Sequence, residues 1–476
     1  MSSQPNLLYI HSDQHSPKVL GCYGDPLVKT PHLDGLAARG VMFKYAYCPS
    51  PVCTPSRMSM LTGRYPYENE VWANNHVLGS GRPTMAHAMG VAGYRPVLAG
   101  RMHALGTDQL HGYVDRPIGD HSSNYPGSGD SPKNMIESVQ RSGAGQSGYQ
   151  VHDEDVTAVA IDFINRQGTK NLSGRMAHPF CLHVGYMLPH SPFIARREDY
   201  EQYSDVMIPP RHPRPMGDED HPFYQWWRDC NRFLEVDEAD ALRARAAYWG
   251  LVTALDRMIG QLFEALERNG FAENTMIVYS SDHGEHVGEK GLWMKRTFYE
   301  DSVGIPALVS WPGILPAGEV SERVISALDL NATMLDALGA PELPHARGRS
   351  LLPLLRGETD RWEDVAFSEY CMYEGHYQRM IRQDDWKLIY HHKYDPQLFN
   401  LADDPEELND RAKDPDCRAL REALTAKVLD GWDPAWVAAK MEEKRRDLEI
   451  VSRWASATAA PEQFKWPKTP DMTYLD

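Results

Sequence analysis

The chain has 476 residues, 42% hydrophobic and 24% charged, which excludes a disordered or fibrous protein and suits a large globular domain with a smaller one. The formal net charge of -17, without any run rich in Lys and Arg, argues against a nucleic-acid partner. Seven scattered cysteines, an odd number, argue against a disulfide framework.

The first predicted strand is NLLYIHSD, at residues 6–13. No basic segment precedes it, so it does not resemble a signal peptide. No apolar run approaches the roughly 20 residues that a membrane span needs. We therefore expect a cytoplasmic protein without a membrane partner.

Three further apolar runs predict buried strands at 94–100, 179–187 and 275–284, with helical patterns between them. Strands that are apolar on both faces and alternate with helices are typical of parallel sheets. The sequence therefore predicts an α/β fold with a large, mostly parallel sheet flanked by helices.

The pattern changes after residue 357 to short strands followed by one helix, which predicts a small α+β domain. We place the catalytic domain at 1–357, the small domain at 358–432 and a C-terminal tail at 433–476. The tail ends in a segment that we expect to project as an extended arm. An exchanged arm would support a homo-oligomer.

Polar side chains follow all four predicted strands of the large sheet. Asp13 and Gln14 follow the first, Arg101 and His103 the second, His190 the third, and Asp282 and His283 the fourth. The carboxyl ends of parallel strands meet at one edge of a sheet, where ligands bind. One such residue alone would be an ordinary cap or a buried histidine, but four strand ends together predict a site.

The residues at these strand ends divide into possible metal ligands and possible anion-binding groups. Hard oxygens and one imidazole favour Ca²⁺, Mn²⁺ or Mg²⁺ over a thiolate-rich zinc site, and we favour Ca²⁺. The cations and remaining histidines would bind a tetrahedral oxyanion and transfer protons. The ligands are Asp13, Gln14, Asp282 and His283, and the anion-binding groups are Arg101, His103, His190 and Lys295.

Cys53 begins the stretch CTPSRMSMLTGR, ahead of a predicted helix. Cys48 and Cys53 would make half of a zinc site, but no second Cys/His pair accompanies them. An ordinary buried thiol is the simpler alternative. A bare thiolate would be a poor ligand for a hard cation.

The pattern C-x-P-S-R-x-x-x-L-T-G-R resembles the signature of type I sulfatases, whose cysteine is oxidised to formylglycine. The resemblance covers nearly the whole chain, through NLLYIHSDQ, TPHLDGLAARGVMF, GYRPVLAGRMH, the Pro189 to Pro192 turn, SDHGEHVGEKGLWMK and QLFNLADDPEELND. It implies an alkaline-phosphatase-like fold, a small-molecule sulfate ester substrate and a formylglycine-generating enzyme as the partner that converts Cys53.

Within this family the chain is most similar to choline sulfatases and then to phosphonate monoester hydrolases. The pairs Asp13-Gln14 and Asp282-His283 and the stretch GRMHALGTDQLHG carry that similarity. It implies a small alkyl sulfate resembling choline sulfate, with a phosphonate monoester or phosphodiester as the alternative. Arg101 stands where the family usually has lysine, which keeps the charge and changes the donor geometry.

The resemblance also implies a role for each residue of the site. Formylglycine at position 53 would be hydrated, contact the metal and attack sulfur. Its environment would come from Arg57 beside the diol, Asn74 and Arg101 on the sulfate oxygens, His190 and Lys295 at the leaving alkoxide, and His103 as the base that releases sulfate. If Cys53 is never converted, a non-catalytic metal- and anion-binding protein remains.

Overall fold

The computed structural model describes residues 4–125, 134–172, 179–214, 220–358, 361–372 and 375–476. Its strands are β1 (Asn6–Asp13), β2 (Val41–Tyr47), β3 (Pro96–Gly100), β4 (Asp115–Ile118), β5 (Gly143–Gln146), β6 (Cys181–Pro189), β7 (Ile194–Ala195), β8 (Thr275–Ser281), β9 (Ala307–Ser310), β10 (Glu319–Ser326), β11 (Val365–Met372), β12 (His376–Gln383), β13 (Trp386–His391), β14 (Gln397–Asn400) and β15 (Tyr474–Leu475).

Helices connect most of these strands. They are α1 (Pro31–Ala38), α2 (Cys53–Thr62), α3 (Pro66–Asn69), α4 (Met85–Val91), α5 (Ile136–Gln140), α6 (Gly148–Leu172), α7 (Arg197–Tyr200), α8 (Pro222–Asn231), α9 (Glu238–Arg268), α10 (Glu300–Val303), α11 (Ala327–Ala337), α12 (Leu352–Leu355), α13 (Arg418–Leu429) and α14 (Pro434–Thr458). Within the described ranges no helix is both long enough and apolar enough to cross a membrane.

The large sheet has eight strands in the order β10, β2, β9, β8, β1, β6, β3 and β4. Its neighbours are parallel, except that β9 runs antiparallel to β2 and β8. All eight residues of β1 are buried, as expected for a central strand covered on both faces. The prediction of an α/β fold with a large, mostly parallel sheet is confirmed.

Two hydrophobic cores cover the two faces of this sheet. Alternate residues of β1 divide between them, with Leu7 and Tyr9 in one core and Leu8 and Ile10 in the other. The first core includes residues of α2, α4 and α11, and the second includes α6 and α9. Burial on both faces holds β1 at the centre of the molecule, so the position of its carboxyl end is well defined.

A second, antiparallel sheet follows in the order β11, β12, β13 and β14. One face of it packs on α13, where Ile381 and Leu388 meet Leu424 and Val428. This is the small sheet-and-helix unit that the sequence predicts. The domain boundaries at residues 357 and 432 stay predictions.

The C-terminal tail differs from the expected projecting arm. It begins with a 25-residue helix, α14, and its last residues turn back onto their own chain. There β15 pairs antiparallel with β5, and Trp466 is only 7% exposed. The apolar indole and the free strand edge of β5 both gain partners in this way. A role for the tail in oligomerisation stays a prediction.

Candidate active site

The polar ends of four neighbouring strands of the large sheet lie together. Asp13 is the last residue of β1, Arg101 follows β3, His190 follows β6, and Asp282 follows β8. These strands are adjacent and parallel, so their carboxyl ends open on the same edge. The predicted site residues that follow these strands therefore lie together at one edge of the large sheet.

Cys53 is the first residue of α2, and all ten residues of that helix are buried. The helix ends at Gly63, whose φ of 70° is the left-handed conformation that glycine adopts readily. The thiol Sγ lies 3.0 Å from Nζ of Lys295, 3.2 Å from Nε2 of His283 and 3.7 Å from Oδ1 of Asp13. Cys53 therefore stands at the centre of the strand ends.

The electrostatic surroundings of this thiol are strongly positive. Burial alone would raise the pKa of Cys53, but the charges of Lys295 and His283 lower it well below its ordinary value. A group at this position is held in an environment that stabilises negative charge on it.

Arg57 links the two carboxylates of the site from the same helix, one turn after Cys53. Its Nε donates to Oδ2 of Asp282 at 2.8 Å, and its Nη2 donates to Oδ2 of Asp13 at 3.1 Å. The side chain is 1% exposed. Burial alone would lower the pKa of Arg57, but the two carboxylates raise it. Arg57 therefore fixes both carboxylates and stays charged.

Arg101 is held by two carboxylates and in turn holds a histidine. Its Nε donates to Oδ2 of Asp13 at 2.5 Å, its Nη1 lies 3.3 Å from Asp120, and its Nη2 is 2.9 Å from Nδ1 of His103. Asp120 also accepts the backbone N–H of His103 at 3.1 Å. Burial alone would raise the pKa of Asp120, but Arg101 holds it well below its usual range.

Gln14 lies in the left-handed region, with a φ of 66°. Its backbone N–H donates to Oδ1 of Asp282 at 3.0 Å, and its Oε1 accepts from Nζ of Lys295 at 2.7 Å. Its amide nitrogen donates to Glu285, whose pKa burial raises to about 6. A strained backbone held by this many partners is typical of a functional site.

One carboxylate oxygen of the site has only distant neighbours. Oδ1 of Asp13 lies 3.7 Å from the thiol, 3.8 Å from Nε2 of His283 and 4.0 Å from both Nε2 of His190 and Nζ of Lys295. Asp13 is fully buried, and its pKa is well below its usual range: burial alone would raise it, but the nearby cations, Arg101 foremost, lower it. All of these contacts are long, so this buried carboxylate oxygen can take a cation as a further partner.

A metal ion fits this gap. Asp13, Cys53, Asp282 and His283 each offer one ligand atom, and these atoms lie within 4.8 Å of one another. Nδ1 of His283 donates to the carbonyl of Gly284 at 3.0 Å, so Nε2 is the nitrogen that faces the group and would ligate a cation in the neutral ring. Two carboxylates and an imidazole suit a hard divalent cation, whereas the sulfur does not.

Three predicted site residues are only half-buried and lie on the side of the site that faces solvent. They are Asn74, His103 and His190. Nδ1 of His190 donates to the carbonyl of Ser191 at 2.5 Å, which leaves Nε2 facing Asp13. Burial, with Lys295 as the next contribution, lowers the pKa of His190. Oδ1 of Asn74 accepts the backbone N–H of Thr54 at 3.0 Å.

Sequence reasoning missed three residues that contact the site. Glu285 accepts from Gln14, Asp120 accepts from Arg101, and the ring of Tyr149 is tilted against that of His190 with 5.7 Å between ring centroids. The sequence could have indicated Glu285, since it lies three residues after Asp282 in the same motif. Asp120 and Tyr149 carried no such signal, because long-range folding alone brings them here.

A cavity of about 1400 Å³ lies away from this site, beside the small sheet. Its walls include His221, Lys290, Tyr299 and Phe399 and none of the predicted site residues. The convergence of polar groups, rather than the size of a cavity, therefore locates the candidate site.

Comparison with known families gives two matches to this chain. The Sulfatase model matches residues 5–340, and the model described as N-sulphoglucosamine sulphohydrolase, C-terminal, matches residues 288–431.

Several known proteins are similar over most of the chain. The choline-sulfatase of Rhizobium meliloti (strain 1021) is 31% identical over 443 residues, 89% of this chain and 86% of that protein. The multifunctional alkaline phosphatase superfamily protein PehA of Trinickia caryophylli is 28% identical over 509 residues, 90% of this chain and 95% of that protein.

The phosphonate monoester hydrolase of Agrobacterium radiobacter superposes with a TM-score of 0.75 at 24% identity, and the match covers 90% of this chain and 95% of that one. This likeness shows that the fold is alkaline-phosphatase-like. The family model spans more than two thirds of the sequence and includes the whole candidate site. The chain therefore belongs to the Sulfatase family and is a sulfuric ester hydrolase.

Proposed function

We propose that the protein hydrolyses the sulfate monoester of a small alcohol, with formylglycine derived from Cys53 as its nucleophile. The observation that carries this proposal is the position of Cys53 at the buried start of α2, within 3.7 Å of Asp13, His283 and Lys295. An unmodified thiol would be a poor match for the hard cation that this group of ligands favours. An oxygen nucleophile at residue 53 removes that mismatch.

The divalent cation would be held by Asp13, Gln14, Asp282 and His283 together with residue 53. We favour Ca²⁺, with Mn²⁺ or Mg²⁺ as alternatives, because the set is rich in hard oxygens. When bound, the cation would stabilise charge on the sulfate oxygens and lower the pKa of the nucleophilic hydroxyl. The open position of Asp13 Oδ1 supports this assignment.

Two groups on the floor and rim of the pocket are assigned to the sulfate. Arg101, fixed by Asp13 and Asp120, presents a charged donor at a defined angle. Asn74 uses its Oδ1 for Thr54, so its amide NH₂ is the group that we assign to a sulfate oxygen. Donors held in place before the substrate binds stabilise developing charge without reorganisation.

Proton transfer is assigned to the groups that face the thiol position. Lys295 or His190 would donate a proton to the oxygen of the alcohol as the S–O bond breaks. His103 would accept the proton whose removal releases inorganic sulfate. Its Nδ1 accepts from Nη2 of Arg101 at 2.9 Å, which orients the imidazole. The net reaction adds one water and yields the alcohol and sulfate.

Conversion of Cys53 and substrate preference test the proposal together. The full-length chain is co-expressed with a formylglycine-generating enzyme, and the mass of the peptide that contains residue 53 is measured by mass spectrometry. Rates are then compared for choline sulfate, para-nitrophenyl sulfate, bis(para-nitrophenyl) phosphate and para-nitrophenyl phenylphosphonate. We expect the peptide to have the mass of the aldehyde form and the enzyme to hydrolyse sulfate esters faster than the other esters. Cys53→Ala should hydrolyse none of them.

Three results would redirect the assignment. Unmodified sulfur in an active preparation would exclude the formylglycine mechanism. Faster hydrolysis of the phosphonate or the phosphodiester would favour the alternative hydrolase. Unconverted Cys53 together with no turnover of any ester would favour a non-catalytic metal- and anion-binding protein.

A further inference from the structure

The C-terminal tail passes over the rim of the site and is anchored before it arrives there. The backbone N–H of Trp466 donates to the carbonyl of Asp120 at 2.8 Å, and its indole N–H donates to Asp155 at 2.9 Å. Its ring meets His152 edge to face. Asp120 is the residue that holds Arg101, so this anchor lies directly behind the site.

A second anchor follows a few residues later. Thr473 accepts the backbone N–H of Gly148 through its Oγ1 at 3.0 Å, and Gln146 donates to the carbonyl of Met472 at 3.2 Å. Then β15 pairs with β5. The backbone of the short stretch between Trp466 and Met472 is therefore held at both ends.

Lys468 lies in this stretch and reaches toward the rim. Its Nζ is 4.1 Å from the centroid of the Tyr149 ring, and the ring of Tyr149 is 5.7 Å from that of His190. The ammonium group is thus within about 10 Å of the His190 ring.

No carboxylate among the described residues pairs with Lys468. Lys465, three residues earlier on the same tail, does have such a partner, because its Nζ lies 2.8 Å from Glu462. The charge of Lys468 is therefore free for a ligand, whereas that of Lys465 is already neutralised. Partial burial and the charge of Arg101 lower the pKa of Lys468, which agrees with a position above the site.

We infer that Lys468 selects sulfate esters whose alcohol carries an anionic group, such as a carboxylate or a second sulfate. The inference rests on the proposed function, in which His190 faces the leaving alcohol and the sulfate is held deeper, by Arg101. An alcohol that leaves past His190 meets the Tyr149 ring and then the ammonium of Lys468. A quaternary ammonium would meet a like charge there, which argues against choline as the alcohol.

A matched pair of esters tests this inference with the full-length, converted enzyme. The pair is para-carboxyphenyl sulfate and para-carbamoylphenyl sulfate, which differ in charge and little in shape. We expect the wild type to prefer the carboxylate. The ratio of the two kcat/KM values should fall about tenfold in Lys468→Met and further in Lys468→Glu, and should persist in Lys468→Arg. Lys465→Met, the matched control, should leave it unchanged.

A second pair tests the exclusion of cations. Choline sulfate is compared with neohexyl sulfate, its neutral carbon isostere, and we expect the wild type to hydrolyse the neutral ester faster. Lys468→Glu should narrow or reverse that difference. A wild-type preference for choline sulfate would overturn the inference.

The other outcomes also decide between explanations. If Lys468→Met lowers kcat/KM for all esters alike, or lowers only the melting temperature, Lys468 merely seats the tail and the inference is wrong. An unchanged charge ratio with full activity would overturn the inference and leave the proposed function intact. Failure of the wild type to hydrolyse any of the four esters would overturn both.

Discussion

Two groups of buried charges occupy different parts of this molecule. The site cluster comprises Asp13, Arg57, Arg101, Asp282, His283 and Lys295 around Cys53. The junction cluster lies between the large sheet and the small one and comprises Lys18, Lys290, Glu300, Asp301, Lys387 and Glu407. Both place several charges out of water, which costs free energy unless the charges are compensated.

The two clusters differ in how completely they compensate themselves. In the junction cluster Nζ of Lys387 donates to Glu300 at 2.7 Å, to the carbonyl of Phe298 at 2.8 Å, and pairs closely with Glu407. In the site cluster the nearest donor to Oδ1 of Asp13, among the residues that the structure describes, is the thiol at 3.7 Å. Buried charge alone therefore does not identify a site. The site cluster is distinguished by four ligand atoms within 4.8 Å of one another, one of which, Oδ1 of Asp13, has only long contacts.

The largest expected effect comes from removing one charge of the site cluster. Asp13→Asn keeps the shape but weakens the hold on Arg57 and Arg101 and removes the negative charge that would face the cation. We expect kcat/KM for a sulfate ester to fall by about 10³- to 10⁴-fold. Lys387→Met in the junction cluster should change kcat/KM of the folded enzyme by less than about twofold. Equal losses in both variants would contradict the distinction.

The junction cluster should matter more for the free energy of unfolding than for kcat/KM. Lys387 is fully buried, and Lys387→Met leaves Glu300 and Glu407 without their shared cation. We expect the free energy of unfolding to fall by about 3–5 kcal/mol, measured by urea denaturation. Lys427→Met, at an exposed lysine of α13 that donates to Gln383, should cost less than about 0.5 kcal/mol. Similar costs for the two variants would show that the junction charges are not coupled.

Only one of these clusters could be read from the sequence. Asp13, Arg101, His190 and Asp282 follow apolar strands, and the parallel arrangement of those strands brings their ends to one edge. Local pattern and one topological rule were sufficient for these residues. The junction cluster carries no such signal, because Lys387 and Glu300 are 87 residues apart and meet only through the packing of two sheets.

The same limit applies to the rim of the site. Asp120 comes from a loop, and Lys468 reaches Tyr149 only because β15 pairs with β5 over two residues. A pairing this short has no periodicity to detect, and the sequence instead predicted a projecting arm. The residues at the strand ends were therefore predictable, whereas Asp120 and Lys468, which tertiary folding alone brings to the rim, were not.

The rise in melting temperature on binding a divalent cation should distinguish variants of the site cluster from variants of the junction cluster. After dialysis against a chelator, Ca²⁺ at about 100 times its dissociation constant should stabilise the wild type by about 3 kcal/mol, seen as a rise in the melting temperature. Lys387→Met should show the same rise from a lower baseline. Asp13→Asn should lose most of it. A rise that survives in Asp13→Asn would place the cation elsewhere.

The smallest expected effect is the loss of unfolding free energy from the junction cluster as the pH falls. Asp301 contacts Lys18 at 2.6 Å and Lys290 at 3.5 Å. Burial alone would raise the pKa of Asp301, but these two lysines lower it well below its usual range. The folded protein then binds fewer protons than the unfolded chain, so this contribution is present above the unfolded pKa of about 4 and is lost as the pH falls.

Chemical denaturation at several pH values measures this contribution. From about pH 5 down to pH 3 we expect the wild type to lose about 1–2 kcal/mol more of its unfolding free energy than Asp301→Asn does. Asp205→Asn, at an exposed position, should follow the wild type. Parallel curves for wild type and Asp301→Asn would mean that the lysines gain as much from water as from Asp301. The junction would then owe its stability to Lys387 and its two glutamates alone, because those contacts do not involve Asp301.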